Sequence, residues 1–69
     1  MIKWELHKNN KLWVVARWDN QQEWDYSVDE QLIEVAHWVR DNKFGKRMSY
    51  DMFKLNSKAH LTMFLLKWA

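Results

Sequence analysis

Hydrophobic and polar residues alternate from the start of the chain: Ile2, Trp4 and Leu6 fall on one side, Lys3, Glu5 and His7 on the other. A period of two marks a half-buried strand. Asn9-Asn10 follows, and asparagine tolerates the positive φ that a two-residue hairpin turn demands. Residues 11–18, rich in Val and Trp, then form the return strand. Such a turn sets position 6 against 13 and 4 against 15, so Ile2, Trp4, Leu6, Trp13 and Val15 share one face. A polar turn at 19–22 and the alternating Glu23-Trp24-Asp25-Tyr26 predict a third strand, with both rings on that same face. Leu12, Val14, Ala16 and Trp18 then point outward, beside Lys3, Glu5, His7, Glu23 and Asp25.

The period changes at Ser27. Ser27-Val28-Asp29-Glu30 has the spacing of a capping box, a serine hydroxyl with a glutamate three residues on. Val28, Leu32, Val35, Ala36 and Val39 recur at helical spacing, flanked by Ile33 and Trp38, with Glu30, Glu34, His37 and Asp41 on the back. This helix is expected to reach Lys43, with Gly45 as its left-handed stop. Met48, Tyr50 and Met52 alternate with Ser49, Asp51 and Phe53, which predicts one further strand ending near Leu55. Ser57 is placed to cap a last helix over 58–68. There Leu61, Phe64, Leu65 and Trp68 form one stripe, and Ala59, Met63 and Leu66 form a second on the far side. A fully buried strand is the other reading of this continuous apolar run. The expected fold is α+β: a three-stranded antiparallel β-meander, helix, fourth strand and C-terminal helix (β-β-β-α-β-α).

At 69 residues the chain makes one domain with little core. Below roughly 70–80 residues a single core supplies only about 3–5 kcal/mol, so small domains lean on disulfides, metals, partners or dense aromatics. There is no cysteine, which removes disulfides and thiolate metal sites, and the six tryptophans are the visible substitute. No apolar run approaches a membrane span, and the alternating start does not read as a signal peptide. A cytoplasmic location is expected, with no membrane partner. Charge is uneven along the chain. Residues 1–34 hold four bases against seven acids, net −3; residues 35–69 hold seven bases against two acids, net +5.

Catalysis finds little support. Ser27 and Ser57 are accounted for as caps, His7, His37 and His60 fall on three elements, and no glycine-rich loop could cradle a phosphate. Glu34 and His37 have the E-x-x-H spacing of di-metal helix bundles, but those need a second such helix. No enzyme activity, cofactor, metal or small-molecule substrate is expected. Strands followed by a packed helix resemble the layout of small DNA-binding domains related to plant AP2 and phage integrase arms. The mixed outward face expected here is wrong for phosphates. A basic loop is better suited: Arg40, Lys43, Lys46 and Arg47 around an exposed Phe44.

The leading expectation is a protein partner, which includes a second copy of the chain. Leu12, Val14 and Trp18 on the outward strand face, and Met63 and Leu66 on the last helix, are too many apolar groups for one aromatic face to cover. From His37-Trp38-Val39-Arg40-Asp41-Asn42 through Tyr50-Asp51-Met52-Phe53 to Met63-Phe64-Leu65-Leu66-Lys67-Trp68, the chain resembles short uncharacterised proteins of large tailed phages. That resemblance covers roughly the second half. It implies a host-cytoplasm setting and an accessory role on host or viral proteins, and it brings no active site.

Overall fold

The computed structural model describes residues 2–19 and 26–69. Their elements are β1 (Lys3–Leu6), β2 (Trp13–Arg17), α1 (Tyr26–Asp41), β3 (Gly45–Ser49), β4 (Met52–Leu55) and α2 (Lys58–Trp68). The fold is α+β, with one four-stranded antiparallel sheet in the order β1-β2-β4-β3. It is not the expected meander. The strand expected at 23–26 lies outside the described residues except for Tyr26, which opens α1. The place beside β2 belongs to β4, and residues 45–55 fold as a hairpin where one strand was expected. The turn falls at Tyr50-Asp51, and a register shift between Arg47 and Ser49 breaks the alternation of Met48, Tyr50 and Met52. The described elements thus form two ββα units, β1-β2-α1 and β3-β4-α2, joined where Val14 of β2 faces Phe53 of β4.

The first hairpin is one residue out of the expected register. Trp4 pairs with Ala16 and Leu6 with Val14, so the connection is longer than Asn9-Asn10. His7 N–H donates to the Trp13 carbonyl, and the Asn10 carbonyl takes the Trp13 N–H. The Asn10 side chain also accepts from the Leu12 N–H at 3.3 Å. Since side chains alternate with period two, a slip of one residue turns the whole of β2 over. Val14 and Ala16 face inward and are fully buried, while Trp13, Val15 and Arg17 face outward.

Both helices lie on the inner face. Val28, Leu32, Val35 and Val39 of α1 and Leu61 and Phe64 of α2 share one cluster with Val14, Ala16, Phe53 and Leu55. Trp4 of β1 meets Phe64 edge-on, with centroids 4.9 Å apart, and Trp38 of α1 meets Phe64, Phe44 and Trp68. The expected stripes on both helices are the ones buried. The Ser57 cap also forms: its Oγ accepts from the His60 N–H at 3.2 Å.

The end of α1 differs from expectation. Lys43, with φ 59, is the left-handed residue, and Gly45 is not. Lys43 N–H donates to the Arg40 carbonyl and Phe44 N–H to the Val39 carbonyl, the two bonds of a Schellman motif, with Phe44 packed back on Trp38. Gly45 is needed for another reason. A Cβ there would meet the Lys54 carbonyl oxygen across the β3–β4 ladder. Lys43→Gly should therefore stabilise the fold by about 0.5–1 kcal/mol by relieving the positive φ. Gly45→Ala should cost about 2–4 kcal/mol by forcing two strands apart. Urea titration followed by far-UV circular dichroism checks both, and equal effects at the two positions would contradict this assignment.

Candidate functional site

With both helices on one face, the molecule presents three distinct surfaces. The first is the outer side of α2. Met63 is 50% exposed and Leu66 78%, with Ala59 also exposed one turn before Met63. The residues at 59, 63 and 66 stand at helical spacing, so they form one strip about 10 Å long. Thr62 lies beside the strip, and Lys58 and Lys67 stand at its two ends.

The other half of the expected partner surface is not exposed. Val14 is fully buried, and Trp18 packs on the core and edge-on to Tyr50 at 6.2 Å. Leu12 is half-buried, and its carbonyl accepts from the Leu55 N–H. The register turns Val14 inward, so it is corrected from surface to core, while Leu12 and Trp18 on either side of β2 are half-buried rather than exposed.

The second surface is the loop from Arg40 to Arg47, and it is less free than its composition implies. Phe44 is not an exposed ring: it is half-buried, T-shaped to Trp38 at 5.2 Å and stacked on His60 at 4.6 Å. Arg47 lies opposite Phe53 on the inner face, its guanidinium 5.9 Å from that ring and 5.3 Å from Tyr50. Its Nη2 donates to the Tyr50 carbonyl at 2.7 Å and its Nε to the Ser49 carbonyl at 3.2 Å. It ties the β3–β4 turn. Arg40 donates to Asp41, an exposed pair worth little. Lys43 and Lys46 are exposed, and Lys46 points to the opposite side of the sheet from Arg47.

The third surface is the helix-free face of the sheet, which sequence reasoning populated wrongly. Lys3 lies directly opposite Arg17, Glu5 opposite Val15, Val15 opposite Met52, Trp13 opposite Lys54, and Lys54 opposite Lys46. Two pairs of cations thus flank a middle of Val15, which is buried, and Met52, with Trp13 in the row of the Lys46–Lys54 pair. The one acid among these positions, Glu5, accepts from Arg17 Nε at 3.4 Å with both side chains largely exposed. His7 sits edge-on to Trp13, centroids 5.3 Å apart.

Groups that might do chemistry are dispersed. His7 is at Trp13, His60 is under Phe44, and His37 is on the exposed back of α1 with Glu34 and Asp41. Among the described residues no three His, Asp or Glu side chains gather as a metal site requires. No described helix is long and apolar enough to cross a membrane. An open groove of about 450 Å³ runs between Ile2, Trp4, Val35 and Trp68, with Gln31 and Glu34 at its side. No family model, curated protein or solved structure matches the chain.

The roles of the two loop cations can be separated. Arg47→Ala should cost about 1–2 kcal/mol, because it removes both carbonyl contacts and the ring contacts of the turn. Lys46→Ala, with no such contacts, should move stability by no more than about 0.5 kcal/mol. Thermal unfolding of the two variants decides, and an Arg47→Ala protein as stable as the parent would show that Arg47 is a free surface cation.

Proposed function

We propose that this protein is a small non-catalytic protein-binding module whose contact surface is the outer strip of α2, and that the strip pairs with a second copy. The observation that carries the reading is Leu66. It is 78% exposed on a helix whose opposite side is buried, and both helices lie on the same side of the sheet. No described element crosses over to cover it.

The occupant follows from shape. Two antiparallel α2 helices related by a two-fold axis near residues 62 and 63 set Ala59 of one against Leu66 of the other. A small residue facing a large one is the arrangement that lets helix surfaces interdigitate, and a two-fold contact uses the same patch twice. Lys58 then meets Lys67 of the other copy at each end, a like-charge contact that limits affinity at low salt. The helix is short, about 16 Å at 1.5 Å per residue, so the contact is well below the roughly 800 Å² per partner of a standard interface and the dimer is weak. A second partner of the accessory kind, a host or viral protein in the host cytoplasm, is the extension supported by the resemblance of the C-terminal half to short phage proteins.

Light scattering over a range of concentrations and salt tests the pairing. The expected result is a rise from 8.6 kDa toward twice that mass, at lower concentration when salt is high. Met63→Asp and Leu66→Asp should each weaken association by about 2 kcal/mol or more without unfolding the monomer. Lys67→Glu should tighten it at low salt, since the new acid meets Lys58 of the other copy. A monomer at every concentration, or a dimer that salt dissolves, overturns the reading.

A further inference from the structure

The helix-free face of the sheet carries a feature that α2 does not explain. Lys3 opposes Arg17 and Lys46 opposes Lys54, each as a direct cross-strand pair on that face. Like charges placed directly opposite destabilise a sheet. Lysine on an edge strand has a protective use, because it deters pairing with another chain's edge. That accounts for Lys3 on β1 and Lys46 on β3, which are the two edges. It does not account for Lys54 on the central strand β4, nor for Arg17 on the central strand β2, whose guanidinium pairs with Glu5. Among the described residues, Glu5 and Asp19, which lines one pocket with Lys3 and Arg17, leave the four cations a balance of +2. An anion laid across it would relieve both repulsions at once.

The half-buried indole of Trp13 stands in one row with Lys54 and Lys46, directly opposite Lys54, and between this row and the Lys3–Arg17 pair lie the buried Val15 and the half-buried Met52. From Arg17 to Lys54 is about 14 Å, taking four residues along a strand and one strand spacing across. Cations at that separation, with an aromatic platform beside the Lys46–Lys54 pair, match a short run of nucleotides, with phosphates on the cations and a base on the ring. A duplex fits poorly. Its bases are already stacked, and among the described residues this face has no helix or protruding ribbon to enter a groove.

We propose that this face binds single-stranded nucleic acid, with phosphates held by Lys3, Arg17, Lys46 and Lys54 and one base stacked on Trp13. This surface lies on the opposite side of the molecule from the α2 strip, so the proposal stands or falls independently of dimer formation. Glu5 acts as a built-in competitor, since it occupies Arg17 in the free protein.

The test is fluorescence anisotropy of labelled oligothymidylate and oligouridylate, each about twelve nucleotides long, with the intact chain. Both should bind at low salt. The logarithm of affinity should fall against the logarithm of salt with a slope of about −2 to −3, as three or four contacts at −0.7 each require. Lys46→Glu with Lys54→Glu should lower affinity about tenfold or more, and Glu5→Gln should raise it. Trp13→Thr should lose about tenfold while Trp13→Phe retains binding, with circular dichroism confirming that each variant is folded. Arg40→Glu, in the last turn of α1, should leave binding unchanged. Absence of binding to either strand at low salt overturns the proposal, as does full binding by the Lys46/Lys54 double variant. Tighter binding to a duplex of the same length overturns the stacking role of Trp13. Displacement by polyglutamate as readily as by unlabelled strand assigns the face to an acidic peptide instead.

Discussion

The structure depends on one ring. Phe64 of α2 is fully buried and is met by Trp4 of β1 at 4.9 Å, Trp38 of α1 at 6.2 Å and Phe53 of β4 at 6.3 Å. Among the described residues, no other side chain is shared by rings from so many elements of this sheet and these helices. Removing such a ring costs about 3–5 kcal/mol, as much as the whole core of a domain this small supplies. α2 is therefore not an appendage that detaches; it is held by the same contact that joins the two ββα units. The strip on its outer side is presented on a rigid support for that reason. The aromatic core also carries a cost: Nε1 of Trp18 and Trp68 and Nδ1 of His60 are buried without a hydrogen-bond partner among the described residues, each at about 1–3 kcal/mol.

What could be read from the residues follows how unambiguous each pattern was. The stripes of α1 and α2 were legible because Val28, Leu32, Val35 and Val39, and then Leu61 and Phe64, recur at helical spacing with polar or exposed residues between them. The exposed Met63 and Leu66 followed from the same arithmetic. The sheet was not legible, because Leu12-Trp13-Val14-Val15-Ala16 is apolar at every position and gives no alternation to fix which side is inward. Asn9-Asn10 looked like the turn, while Asn10 in fact closes a longer connection through its side chain and carbonyl. A single residue of slip moved Val14 from the surface to the core and brought Trp13 and Arg17 out. The neighbour of β2 was hidden for a different reason. Pairing β2 with β4 joins residues some forty positions apart, and nothing local announces a contact of that range. Gly45 was correctly singled out and wrongly explained: it permits close strand approach, while Lys43 carries the strained φ.

The register also settles which cations are structural. β3 sends Arg47 inward, where it holds the carbonyls of its own turn, and sends Lys46 outward, opposite Lys54. The positive half of the chain is thus divided. Part of it closes the α1 terminus and the second hairpin, and part stands on the other face of the sheet beside the indole of Trp13. Reading the loop from Arg40 to Arg47 as one basic patch merged two groups that the strand pleat separates.

The two proposed surfaces oppose each other in their response to salt, and geometry makes that opposition useful. Pairing through α2 stacks two molecules helix to helix, so their sheet faces point away from one another. A short strand on one face cannot reach the other, and only a strand long enough to wrap the dimer gains from both. Screening weakens phosphate contacts on the sheet while it relieves the Lys58–Lys67 repulsion between helices. If both proposals hold, low salt favours a monomer loaded with nucleic acid, and high salt favours an empty dimer. The two states are governed by different residues of one rigid core, with Phe64 between them.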